Sequence, residues 1–143
     1  MNDPLLERIN PGCNAGVAFI PLEKKNAMIA ATRYDGVFKI TFSGRNIIAT
    51  EHIRTNLPGV RNLTTTTAAV DMSETIWVGT RSGIVAVRPV PETGKYVKEE
   101  PEDINRELGY ATVSCICPDL DGNLWIGTSE FGILKVNVET GRK

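Results

Sequence analysis

Thr32, Thr80 and Thr128 are evenly spaced, 48 residues from one to the next, and each ends a run of the same kind. The runs read Met-Ile-Ala-Ala-Thr, Thr-Ile-Trp-Val-Gly-Thr and Leu-Trp-Ile-Gly-Thr. A motif that recurs in an unbroken register restricts the fold to architectures in which one unit stacks on the next, because every copy must bury the same face.

The same order of parts surrounds each run. A stretch of β-branched and small apolar residues comes first (17–20, 65–70, 113–117), then a polar turn (23–26, 71–74, 119–123), then the run itself. A glycine opens a third stretch at Gly36, Gly83 and Gly132, and a turn glycine closes it at Gly44, Gly94 and Gly141. A fourth, more polar stretch is legible at 46–53 and 95–100. Alternation at period two, with no sustained 3.6-residue stripe, marks the stretches as strands. Residues 102–108 alone read as a helical turn. Propeller blades repeat at roughly 40 to 50 residues, and a plain β-sandwich does not require one motif at constant spacing. The expected fold is therefore all-β, a β-propeller segment of three four-stranded antiparallel blades. Their bounds are 17–64, 65–112 and 113–143, the last lacking its outer strand. Residues 1–16 are an outer strand of an adjoining blade, centred on 5–9, or an arm.

Face assignments follow from strand alternation. Trp77 and Gly79 fall on one face of their strand and Ile76 and Val78 on the other; Trp125 with Gly127 opposes Leu124 with Ile126. Two apolar faces suit a sheet lying between neighbouring sheets. In the first copy Ile29 and Ala31 hold the Trp and Gly places, as expected if the glycine makes room for the indole. On this reading Gly127→Val overpacks the face. Three blades also leave an exposed packing face at each end of the stack, since closed propellers typically have four to eight blades.

Composition excludes several partners. With 41% hydrophobic and 23% charged residues and a net charge of -1, neither nucleic acid nor an anionic membrane surface is electrostatically favoured. No run reaches the roughly 20 apolar residues of a membrane span. Cys115 and Cys117 lie two apart on a predicted strand and read as small apolar residues of a buried strand; nothing nearby completes a metal site. Asp119-Leu-Asp121-Gly-Asn123 has the opening spacing of a calcium loop, but the strand that follows cannot supply the remaining oxygens. It reads as a hairpin turn, with no metal and no cofactor.

The segment Asp121-Gly-Asn-Leu-Trp-Ile-Gly-Thr128 resembles the two-component regulator propeller repeat, in which such a turn and such a Trp strand follow an inner strand and precede a Gly-Leu strand and a Thr-Gly turn. Residues 76–80 follow the pattern well and 29–32 weakly. The resemblance implies a sensor domain of the kind found in hybrid histidine kinases, often periplasmic, where the propeller helps to recognise carbohydrates. The chain departs from that pattern in carrying no kinase, no membrane helix and only three copies. A full-length chain would be cytoplasmic and a fragment of a sensor ectodomain periplasmic. The expected function is a non-enzymatic binding or sensing module. Its expected partner is a second copy, making a six-bladed dimer, or the remainder of a longer propeller.

A small polar or carbohydrate ligand would meet the loops that gather at one end of the propeller axis. These hold Asn14, Arg61, Asn62 and Tyr110 between fourth and first strands, and Arg33, Tyr34, Asp35, Arg81, Ser82, Glu130 and Phe131 between second and third. Arginine forks and aromatic faces suit such a ligand. Two alternatives remain: an enzyme resembling streptogramin lyase, with His52 as the sole histidine but predicted on an outer strand, and a scaffold that binds no small molecule.

Overall fold

The computed structural model describes residues 16–22, 26–34, 36–54 and 64–138. The strand expected at 5–9, the turn at 139–141 and the candidate residues Asn14, Asp35, Arg61 and Asn62 lie outside them. Among the described residues every predicted strand forms. β1 (Gly16–Leu22), β2 (Ala27–Thr32), β3 (Val37–Ser43) and β4 (Asn46–Ile53) make one antiparallel sheet in sequence order. β5 (Thr65–Val70), β6 (Ile76–Thr80), β7 (Gly83–Val90) and β8 (Lys95–Glu99) make the second. After α1 (Glu102–Leu108), β9 (Val113–Pro118), β10 (Asn123–Thr128) and β11 (Ile133–Asn137) make a three-stranded third. The sheets are propeller blades: antiparallel meanders, two of four strands and one of three, stacked face to face with β1, β5 and β9 side by side as inner strands.

Register carries the repeat into three dimensions. Ala31 pairs with Val37, Gly79 with Ile84 and Gly127 with Ile133, so equivalent residues face the same way in each blade. Ile29, Ala31 and Val37 pack against Ile76, Val78, Val85 and Val87 between blades 1 and 2. Trp77, Ile84 and Ala86 pack against Val113, Leu124, Ile126 and Val136 between blades 2 and 3. Hydrophobic burial on both faces of blade 2 is the dominant stabilising contribution, at about 25 cal/mol per Å² of apolar area.

The glycine in the Trp strand has a different role from the one its sequence suggested. A Cβ on Gly79 would stand 2.6 Å from Thr67 Cγ2 and 2.9 Å from Val113 Cγ1. The missing side chain makes room for Thr67 on the blade's own inner strand and for Val113 on the neighbouring blade's, rather than for the indole. At Gly127 the nearest atom is Cys115 Sγ, at 2.5 Å, within the same blade. An added side chain therefore meets a neighbour at both positions, and only at 79 is a second blade among the obstacles.

α1 takes over where an outer strand stops. β8 pairs with β7 only as far as Ala86, which leaves the Ile84 backbone without a strand neighbour on that side. Fully buried Asn105 fills the gap: its Oδ1 accepts the Ile84 N–H at 2.7 Å and its Nδ2 donates to the Ile84 carbonyl at 3.0 Å. One carboxamide so continues the ladder for one more residue, as buried backbone groups require.

The two ends of the stack are unlike, contrary to the expectation of two exposed packing faces. On blade 1 the outward residues Ala30, Phe38 and Ile40 are buried, in a cluster with Met28, Phe42 and Ile47, and the Phe38 ring stacks on His52 at 4.4 Å. On blade 3 the outward face is open. Trp125 is 40% exposed, whereas its counterparts Ile29 and Trp77 are 0% and 1% exposed. Cys115 and Cys117 share that face and are exposed, which corrects their reading as buried residues: no described blade packs on them.

Candidate ligand-binding end

The evenly spaced threonines explain the loops between second and third strands. Thr32, Thr80 and Thr128 each donate a side-chain hydroxyl to the carbonyl of the glycine that leads into the third strand, Gly36, Gly83 and Gly132, at 2.8, 2.9 and 3.0 Å. All three glycines have positive φ, between 75° and 89°, where a Cβ would be strained. The Thr–Gly pair thus fixes a tight turn, and each turn holds the candidate residues between its ends.

A chain of hydrogen bonds then laces these turns to the following blade. Thr65 N–H donates to the Arg33 carbonyl at 2.9 Å, and Arg81 N–H to the Thr64 carbonyl at 3.1 Å. Thr112 Oγ1 donates to the Arg81 carbonyl at 3.3 Å, and Ser129 N–H to the Thr112 carbonyl at 3.0 Å. Arg33, Arg81 and the Ser129 turn are therefore brought to one end of the stack, as the strand order requires. Tyr34, Arg81, Glu130 and Phe131 are exposed there, and Arg33 and Ser82 half-buried. Tyr110, half-buried, holds an uncommon φ of 54°, and its N–H closes α1 by donating to the Asn105 carbonyl.

Asp119 is engaged within its own turn. Its Oδ1 accepts the Asp121 and Asn123 N–H groups, both at 2.9 Å, and its Oδ2 accepts the Trp125 indole N–H at 2.9 Å. Asp71 repeats the arrangement with Ser73, Thr75 and Trp77, the indole at 2.8 Å. The carboxylate is the clasp between the turn and the Trp strand. Reasoning from sequence missed this bond, although its signal was present: Asp and Trp stand six apart in both later copies, and the first copy, with Glu23 and Ile29, lacks both. A cation lies over each ring, Arg88 over Trp77 at 5.7 Å and Lys135 over Trp125 at 5.4 Å, a favourable placement for the indole face.

The indole bond, followed by the Asn123 amide, lowers the Asp119 pKa to about 2 from an ordinary 3.8. The folded value lies below the unfolded one, so the clasp stabilises the fold fully above about pH 4 and loses its contribution as pH falls toward 2. Trp125→Phe removes the indole donor while keeping a ring. The Asp119 carboxyl, followed by carbon NMR, should then titrate nearer 3.8; an unchanged midpoint would show that the indole bond does not control it.

A cavity lies away from these loops, on the outer rim between β4 and β8. Sequence reasoning gave no hint of it, since the outer strands follow the repeat least.

Residues 107–130 match a family model described as Two component regulator propeller. The match takes in the end of α1, β9, the Asp119 turn and β10, which is the segment whose pattern recurs in the other blades. The chain carries a two-component regulator propeller repeat. Comparisons with curated proteins and with solved structures find no match.

Proposed function

We propose that the chain is a non-catalytic binding and sensing module whose blades are completed into a ring by a second copy. One observation carries this reading: the Trp position is buried at both internal blade junctions and 40% exposed at the third blade. Trp125 keeps the whole apparatus of Trp77, including its carboxylate clasp and its overlying cation. On the same face Ile133, across the ladder from Gly127, is also exposed, an apolar grouping that marks an interaction surface. Ala30, Phe38 and Ile40 are already buried on the outward side of the first blade, so a second copy offers its inner edge, where Phe19 is 67% exposed. Two such contacts related by a two-fold axis make a closed ring of six blades, within the usual range.

The same reading assigns the ligand to the axis end. Tyr34, Phe131 and Arg81 supply exposed rings and a guanidinium on adjoining loops, a set suited to a polar, sugar-like molecule by stacking and forked hydrogen bonds. A second copy would double the set around one axis. The family of the matched repeat favours regulation over catalysis.

Native mass spectrometry of the full chain tests the assembly. The expected species has twice the 15.6 kDa of the monomer; a monomer that persists as concentration rises removes the self-pairing. Titration with a panel of neutral oligosaccharides tests the ligand, with the signal expected from Tyr34 and Phe131. Carbohydrate binding unaffected by Tyr34→Ala and Phe131→Ala would place it elsewhere.

A further inference from the structure

We infer that the outer edge of β11 takes residues 5–9 of a second copy, Leu-Leu-Glu-Arg-Ile, as the fourth strand of blade 3, with Glu7 across from Lys135 and Ile9 across from Ile133. The inference rests on the pairing of two copies proposed above and names the contact that holds them. In blades 1 and 2 the third strand lies between the second and the fourth, whereas β11 ends its sheet with no described strand beyond it. Such an edge presents a row of backbone donors and acceptors that an added strand can pair, the ladder giving affinity and alternate side chains specificity. The side chains report the same gap. Val37, across from Ile53, and Ile84, beside Asn105, are buried, but Ile133 at the equivalent place is 76% exposed. On β8, Val97 is exposed as well; it lies across from Arg88, whose guanidinium covers Trp77, so it faces blade 3.

The two complete blades set the register. Their outer strands follow the repeat least, yet they keep one place in common. Lys39, Ala86 and Lys135 are each the third residue after the turn glycine. Across from Lys39 stands Glu51, and across from Ala86 stands Glu99. An apolar residue precedes each glutamate by two, Ala49 and Val97, and Ile53 follows Glu51 by two. Leu5, Glu7 and Ile9 repeat that spacing, and the same register then pairs Glu7 with Lys135, restoring the opposite charges of Glu51 and Lys39. Leu6 falls across from Val136, on the face that packs against blade 2. A slip of one residue would turn Glu7 and Ile9 to the wrong face. Reach selects the second copy. The step from Ile9 to Gly16 spans at most about 25 Å, and each outer strand leads to the inner strand of the adjoining blade, β4 to β5 and β8 to β9. A strand just before β1 therefore belongs to the blade on the side of β1 away from β5. The chain's own third blade lies beyond β5; in a ring of two copies the blade in that place is the third blade of the other.

The test exchanges charge between full-length copies. Glu7→Lys sets two cations across from each other at both junctions of the ring, and Lys135→Glu sets two carboxylates there. Each variant alone should dimerise about tenfold more weakly than the parent, because a like-charge pair replaces an opposite-charge pair twice. Mixed, the two should recover the parent's affinity as heterodimers: one junction then joins the two substituted side chains, and the other joins the native Glu7 and Lys135. Native mass spectrometry with one variant labelled by nitrogen-15 counts homodimers and heterodimers. Amide hydrogen exchange of the parent should slow at residues 133–137 as the dimer forms. Variant homodimers as tight as the parent's would remove the strand exchange and leave the ring of two copies standing. Weakened variants that do not recover on mixing would overturn the register and the exchange between copies. A parent that stays monomeric as its concentration rises would remove both the exchange and the ring.

Discussion

Gly79→Val should destabilise the chain by about 3 kcal/mol, the upper end of the range for overpacked cores, while Gly127→Val should cost less than about 1 kcal/mol. The two glycines occupy the same place in successive blades, and sequence gives no reason to separate them. Packing does. At position 79 an added Cβ meets Thr67 and both Cγ1 and Cβ of Val113, and Val113 is wholly buried at the start of β9. Relief requires the inner strand of blade 3 to move away from blade 2, which disturbs a junction that also holds Trp77, Leu124 and Ile126. Thr66 Oγ1, bonded to the Val113 carbonyl, ties that same strand in place. At position 127 the nearest obstacle is the Cys115 thiol, at the end of an exposed side chain that can rotate toward the open face. Urea unfolding of both variants decides the matter. Equal losses at the two positions would mean that the clash at blade 3 is as constrained as the one between blades, and would remove the packing account.

Most of the fold was legible because a repeat states the same requirement several times. One Trp strand is a short apolar run with several readings; three at constant spacing, each with its own glycine and threonine, leave a stack of blades. The helical turn at residues 102–108 was legible for the opposite reason, as the segment that breaks the alternation. Less of the candidate site was readable. Repetition reports what blades have in common, and the rim cavity is lined by residues on and beside β4 and β8, whose sequences share little. The burial of Cys115 and Cys117 was misread because alternation tells which residues share a face and not whether a neighbour covers it. Blade 1 shows the converse, where Phe38, with His52 stacked beside it, is buried on an end face expected to be open. The Asp–Trp clasp had a sequence signal, but a carboxylate next to a second carboxylate and a glycine first suggests an ion.

Trp77→Ala and Trp125→Ala should separate internal packing from assembly. Trp77 is buried between blades 2 and 3, so its truncation removes a large apolar surface and leaves a cavity, at a cost of about 3 to 5 kcal/mol. Domains of this size are stable by only about 5 to 15 kcal/mol, so the variant should be largely unfolded on modest warming. Trp125 has the same hydrogen bond and an equivalent register, but its outward face meets no described residue of another blade. In an isolated chain its truncation should cost about 1 kcal/mol, mainly the lost indole bond to Asp119. In a closed ring it should behave like Trp77, because the partner's first blade then supplies the missing side of the pocket. The melting temperature of the parent would rise with protein concentration, as association linked to folding requires, and that dependence would vanish in Trp125→Ala. A small loss at every concentration, with the parent's melting temperature equally flat, would show that Trp125 faces solvent in the working protein and that its likeness to Trp77 is a remnant of the repeat rather than a surface in use.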